Sequence, residues 1–167
     1  MLVMGLDPGL QGGICIRDDE SVILEVMPVK DDLIDIQELH RIIRPYAHEI
    51  TRVFLEMASI RPMQAGQFKI GRGFGRIESV LSYLQLPVTI VMPQDWSKIY
   101  DHGVTEKNKS KRYGLIKKAR AKIVQKIYPG INFLATNESR VSHSGLVDAA
   151  LLADFGWNIL KPRRGMQ

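Results

Sequence analysis

Residues 1–16 read "MLVMGLDPGLQGGICI", and the fold turns on how this stretch is taken. "LVMGL" has the short apolar character of a buried strand. It runs straight into a carboxylate, Asp7, and then into a proline and three glycines. A strand that ends in an acid, with backbone stripped of side chains just after it, predicts a site approached by something negatively charged.

Working outward, "GGICIRD" and "SVILEVMPV" read as two further strands, with the polar "DDES" as the turn between them. "DDLIDIQELHRIIRPYAHE" reads as a helix. Leu33, Ile36, Leu39, Ile42 and Ile43 recur at three- and four-residue spacing, and Asp31 or Asp32 caps its start. "TRVFLEM" is a fourth strand that again ends in an acid, Glu56. "ASIRPMQAGQFKIGRG" reads as a loop or a partly helical lead into the helix "FGRIESVLSYLQ". "VTIVMP" is a fifth strand and "QDWSKIY" a short helix. "KSKRYGLIKKARAKIVQKIYPG" is a basic helix or helix pair stopped by Pro129 and Gly130. "SGLVDAALLADFGWNIL" is a last helix. The expected architecture is a single α/β domain over 1–167. Its five-stranded mixed sheet runs in the order β-β-β-α-β-α-β-α-α, with an antiparallel opening meander and later strands parallel. That is the outline of an RNase H-like domain.

Composition narrows the function. The 167 residues are 45% hydrophobic and 25% charged, as in an ordinary globular domain. Cys15 is the only cysteine, which excludes an internal disulfide and a cysteine-based zinc site. No apolar run approaches the roughly 20 residues needed to span a bilayer, and no signal peptide is visible. The net charge of +5 is concentrated. Residues 106–126 hold nine Lys or Arg against one Glu, a local +8 that leaves −3 for the rest of the chain; a short tail, "KPRRG", adds to it. Localised positive charge fits phosphate backbones, although a solvated helix face has the same composition.

Three acids stand out. Asp7 and Glu56 end strands, and Asp148 lies among Val147, Ala149, Ala150, Leu151 and Leu152, where a charge must be paired or bind a cation. Each alone has a plain structural reading: a turn cap for Asp7, a helix-dipole charge for Asp148. Together, if strands one and four are neighbours, they form a hard oxygen donor set suited to Mg²⁺ or Mn²⁺. Two such ions roughly 4 Å apart support phosphodiester hydrolysis. His143, five residues before Asp148, converges with it only if it precedes the helix, with Ser142 or Ser144 as the N-cap.

"MGLDPGLQGGICI", "FLEM", "VMPQDWSK" and "HSGLVDAALLADFG" together resemble RuvC-like Holliday junction resolvases. "RPMQAGQFKIGRGFGRIESVL" looks most like the phage and chloroplast branch. The resemblance covers nearly the whole chain in motif order. It implies an RNase H-like homodimer that makes paired symmetric nicks in four-way DNA junctions by in-line water attack, leaving 5′-phosphate and 3′-hydroxyl ends. It implies Mg²⁺ or Mn²⁺, two ions per site, held by Asp7, Glu56, Asp148 and His143, and no small-molecule cofactor. The bacterial pattern carries an acid where this chain has Gly145, and many phage relatives carry one where it has Ser144. His143 matches the chloroplast-type pattern. The implied setting is the cytoplasm or nucleoid of a bacterium or phage-infected cell, or an organelle.

DNA contacts are expected in two places. Gly71, Gly73 and Gly75 read as a flexible loop, with Lys69, Arg72 and Arg76 on phosphates and Phe68 against unpaired bases. Phe74 instead begins the apolar face of the next helix, with Ile77, Val80, Leu81 and Leu84. In the basic segment, Lys107, Lys109, Lys111, Arg112, Lys117, Lys118 and Arg120 are expected to grip the duplex arms. The same chemistry leaves room for a looser flap, fork or RNA–DNA hybrid nuclease, and the same surface for a junction-binding protein without activity.

Overall fold

The computed structural model describes residues 1–58, 66–101, 103–136 and 138–161. A five-stranded sheet has the order β3-β2-β1-β6-β7. β1 (Leu2–Asp7), β2 (Gly13–Arg17) and β3 (Val22–Val26) form the expected antiparallel meander. β6 (Ile50–Glu56) runs parallel to β1, and β7 (Val88–Val91) parallel to β6. The mixed α/β fold read from the sequence is therefore the observed one.

The 29–43 region differs from the expected single helix. Val29–Lys30 (β4) pairs with Leu33–Ile34 (β5), and Asp31 and Asp32 both adopt positive φ, 51° and 59°. Aspartate tolerates this left-handed conformation better than most residues, and two such positions in succession make a tight hairpin turn. The helix α1 starts later, at Ile36–Ile43, capped by Asp35, whose carboxylate accepts from the N–H groups of Gln37 and Glu38.

The glycine-rich stretch is a second correction. Gly71, Gly73 and Gly75 lie inside α2 (Gln67–Tyr83), not in a loop. Each costs about 1 kcal/mol against alanine in a helix. Burial of Ile77, Val80 and Leu81 on one face, with Phe74 and Leu84 beside them, outweighs that cost. Phe74 thus has its expected place in the core. Residues 59–65 of the expected loop and 162–165 of the basic tail lie outside the described residues. Three helices follow β7, one on each of the three helical segments read from the sequence: α3 (Pro93–Tyr100), α4 (Lys109–Ile127) and α5 (Ser144–Leu160). The basic segment is one helix, with Asn108 as its side-chain N-cap.

Strand alternation builds two cores. Met4, Leu6, Ile14, Ile16, Val53 and Leu55 face one side, where α1 and α2 cover them. Val3, Cys15 and Phe54 face the other, against α5. α5 is buried along most of its length and is pinned by a partly desolvated network. Asp154 accepts from Arg17 at 3.0 Å, Tyr100 at 2.9 Å and Asn158 at 3.1 Å, and the Arg17 guanidinium lies against the rings of Tyr128 and Trp157. Removing one partner of such a pair strands a buried charge, so this network fixes how α5 lies across the sheet.

Candidate active site: an acidic pocket at the strand ends

Strand parity decides where the acids point. Asp7 follows Val3 and Gly5 by steps of two, and Glu56 follows Phe54, so both belong to the α5 face. The parallel register Leu6↔Leu55 sets the two strand ends side by side. Asp148 sits one turn into α5 and lines the same cavity of about 650 Å³, together with Tyr113 and Arg120. At roughly 30 Å³ per water, that space admits a phosphodiester and hydrated ions.

The glycines after Asp7 serve helix docking. A Cβ on Gly13 would press on the backbone of Gly145 and Leu146, and a Cβ on Gly145 would overlap the Gln11 carbonyl. The first turn of α5 therefore lies directly on the 11–13 backbone, which brings Asp148 to the strand ends. The same contact explains why position 145 carries no acid: there is no space for any side chain. Only Gly9, whose N–H donates to Asp7 Oδ1 at 3.2 Å, leaves an open backbone beside the acid.

The pocket concentrates negative charge. Burial, then the nearby Asp148 carboxylate, pushes the Asp7 carboxyl up to about 7. Burial, then Asp7, pushes Glu56 up to about 7, although Trp96 Nε1 donates to its Oε1 at 3.2 Å. Burial raises Asp148 as well, opposed by Arg120, whose Nη1 donates to Asp148 Oδ1 at 3.0 Å. Carboxylates that lift one another in this way favour a bound cation. The oxygen donor chemistry fits Mg²⁺ or Mn²⁺. The geometry is not a closed cage: among the described residues no three His, Cys, Asp or Glu side chains converge tightly enough to hold an ion as they stand.

His143 takes a different place. It is itself the N-cap of α5, where Ser142 or Ser144 was expected, and its Nδ1 accepts from the Leu146 N–H at 3.4 Å. Its backbone N–H donates to the Phe133 carbonyl at 2.7 Å. Partial burial, then Lys117, holds its pKa below the ordinary value. His143 is not among the residues lining the acidic cavity.

The expected DNA contacts divide. Lys107, Lys109, Lys111, Arg112, Lys117 and Lys118 are all exposed, and Lys117 reaches both the Tyr113 ring and Ser144 Oγ. Arg120 is only 14% exposed and is committed to Asp101 and Asp148. Phe68 is 83% exposed beside Arg72. Lys69 lines the cavity and pairs with Asp32 at 3.2 Å. Arg76 Nε donates to the Ile34 carbonyl at 2.6 Å, which ties α2 to β5. Sequence reading missed Trp96, Asp101 and Tyr113. Trp96 carried a signal, since a tryptophan in a short helix after a strand end has an N–H that needs a buried acceptor.

Sheet order, the parallel β1–β6 pair and the buried closing helix define an RNase H-like α/β domain. Its solved structural neighbours include T. thermophilus RuvC in complex with Holliday junction substrate, at TM-score 0.56 and 17% identity over 95% of this chain and 96% of that one. The Thermus thermophilus RuvC structure matches at TM-score 0.54 and 18% identity, over 95% and 96%. No protein-family model and no curated protein matches the chain. The likeness establishes the fold.

Proposed function

We propose that this protein is a Holliday junction resolvase, a metal-dependent endonuclease that nicks four-way DNA junctions symmetrically. The observation that carries this reading is the meeting of Asp7, Glu56 and Asp148, from β1, β6 and α5, in one cavity flanked by the basic face of α4. The neighbour seen with a junction substrate shares that fold.

Asp7, Glu56 and Asp148 would hold Mg²⁺ or Mn²⁺, which would supply charge neutralisation at the phosphate and activation of water. His143 would join these carboxylates only by moving its ring proton from Nε2 to Nδ1, which gives up the capping bond from the Leu146 N–H. The chain's own groups do the positioning. The Gly9 N–H orients Asp7, Trp96 orients Glu56, and Arg120 orients Asp148. Lys117, coulombically coupled to Asp7 and close to Ser144, places a cation where a phosphate would approach. The exposed cations of α4 would grip duplex arms, and Phe68 would meet unpaired bases at the branch point.

Paired nicks need two sites in fixed register, which a twofold dimer supplies. The apolar face of α2 is already buried in its own core, so such a dimer would use the exposed remainder of that helix, including Tyr83. The deciding experiment incubates the protein with an immobile four-way junction, a fork and an RNA–DNA hybrid, with and without Mg²⁺. Paired symmetric nicks in the junction alone support the proposal. Equal cutting of the fork or hybrid would replace it with a looser nuclease, and binding without cutting would replace it with a junction-binding protein.

A further inference from the structure

Arg120 occupies the acidic pocket in a way that phosphate gripping does not explain. Its Nε and Nη2 donate to Asp101 Oδ1 and Oδ2 at 2.6 and 2.9 Å, and its Nη1 donates to Asp148 Oδ1 at 3.0 Å. Its guanidinium carbon lies 4.6 Å from the centre of the Trp96 ring, and Trp96 in turn holds Glu56. One cation therefore touches one acid of the pocket directly and reaches a second through an indole.

The two ion pairs are unequal. The fork of the guanidinium matches Asp101 with two hydrogen bonds, the geometry in which arginine and carboxylate bind best. Asp148 receives one. Arg120 and Asp148 line the cavity, whereas Asp101 stands outside it. Losing the Asp148 bond thus leaves Arg120 anchored, while losing the Asp101 bonds leaves Asp148 as its remaining ionic partner. Asp148 is also largely desolvated, and such a carboxylate needs some cation at all times.

We infer that Arg120 is a positioning residue that serves as the pocket's resident counter-cation: it neutralises Asp148 in the metal-free protein, yields that oxygen when a divalent ion binds, and then offers its freed Nη1 N–H to a DNA phosphate. The inference rests on the proposed reading of the pocket as a divalent-metal site. It makes metal and DNA binding mutually reinforcing, because each takes one of the two groups that otherwise satisfy each other. Such coupling is reciprocal by thermodynamic necessity.

Calorimetric titration with Mn²⁺ alone, without DNA, tests this on four full-length proteins: wild type, Arg120→Met, Asp101→Asn and Asp7→Asn. Arg120→Met removes the competitor and should bind Mn²⁺ about tenfold more tightly, the equivalent of one charge-assisted hydrogen bond of about 1.4 kcal/mol. Asp101→Asn removes the outer anchor, commits Arg120 to Asp148, and should bind Mn²⁺ several-fold more weakly. Both should melt below wild type without metal. A merely structural ion pair would lower both melting temperatures and leave the affinities equal or shifted in the same direction, which overturns the inference. If Arg120→Met does not fold, Asp101→Asn decides alone: unchanged or tighter binding overturns it. Absence of Mn²⁺ binding by wild type, or full binding by Asp7→Asn, would instead overturn the metal-site reading beneath it.

Discussion

Asp7→Asn separates what the acidic pocket costs the fold from what it contributes to function. In the folded chain the Asp7 carboxyl is pushed up to about 7 from an ordinary value of 3.8, mainly by burial and then by Asp148. A raised carboxyl contributes stability that is fully present below about pH 4 and is lost as pH rises through about 7. Three units at about 1.4 kcal/mol each give an upper bound of about 4 kcal/mol of strain at pH 8. Asparagine keeps the Oδ1 acceptor for the Gly9 N–H and removes the charge. Its amide N–H₂ enters a pocket with few spare acceptors, which returns about 1–2 kcal/mol. The variant should therefore be about 2 kcal/mol more stable than wild type at pH 8 with chelator present, a rise of roughly 4–8 °C in melting temperature for a domain of this size. Near pH 4 the advantage should vanish and the variant should melt slightly below wild type, because the folded wild-type carboxyl is then neutral and only the cost of the amide remains. Junction cleavage should fall to background. Melting curves at pH 4 and pH 8, with a gel assay alongside, make the test. An Asp7→Asn protein no more stable than wild type at pH 8 would show that burial and the neighbouring Asp148 do not strain the Asp7 carboxylate.

Other expectations follow from the same geometry. Mg²⁺ should raise the wild-type melting temperature more at pH 8 than at pH 5, since the Asp7 and Glu56 carboxyls ionise near 7; equal shifts would place the ion elsewhere. Gly145→Ala should destabilise the fold by about 2 kcal/mol or more, because its Cβ meets the Gln11 carbonyl; an unchanged urea midpoint would contradict the docking account. Neutralising Lys117 and Lys118 together should weaken DNA binding and lower the log–log salt slope by nearly two; an unchanged slope would free both residues from phosphate contact. Phe68→Ala should leave melting unchanged and reduce preference for junction over linear duplex, read by competition binding.

Much of this architecture was legible because strands announce their ends. "LVMGLD" and "TRVFLEM" are short apolar runs that stop at acids, and a parallel pairing of the two follows from the intervening helix. The third acid was legible because Asp148 is out of place in an apolar helix. What sequence reading could not weigh was tertiary competition. The glycines of 71–75 look like a loop until the buried face of α2 is seen to outweigh them, and Asp31–Asp32 look like a cap until a hairpin uses their left-handed backbone. Arg120 illustrates the same limit. Composition places it with the other cations of α4, but its side chain lies on the inward face, where Asp101 and Asp148 claim it. The meaning of Gly12 and Gly13 was likewise hidden, since the helix they receive lies more than a hundred residues away.

The central claim is that Asp7, Glu56 and Asp148 share a divalent ion. Anomalous diffraction from a crystal soaked in Mn²⁺ addresses it directly. A peak within coordination distance of an Asp7 oxygen and an oxygen of Glu56 or Asp148 is the predicted result; a fully soaked crystal with its manganese elsewhere, or none in this pocket, would contradict it.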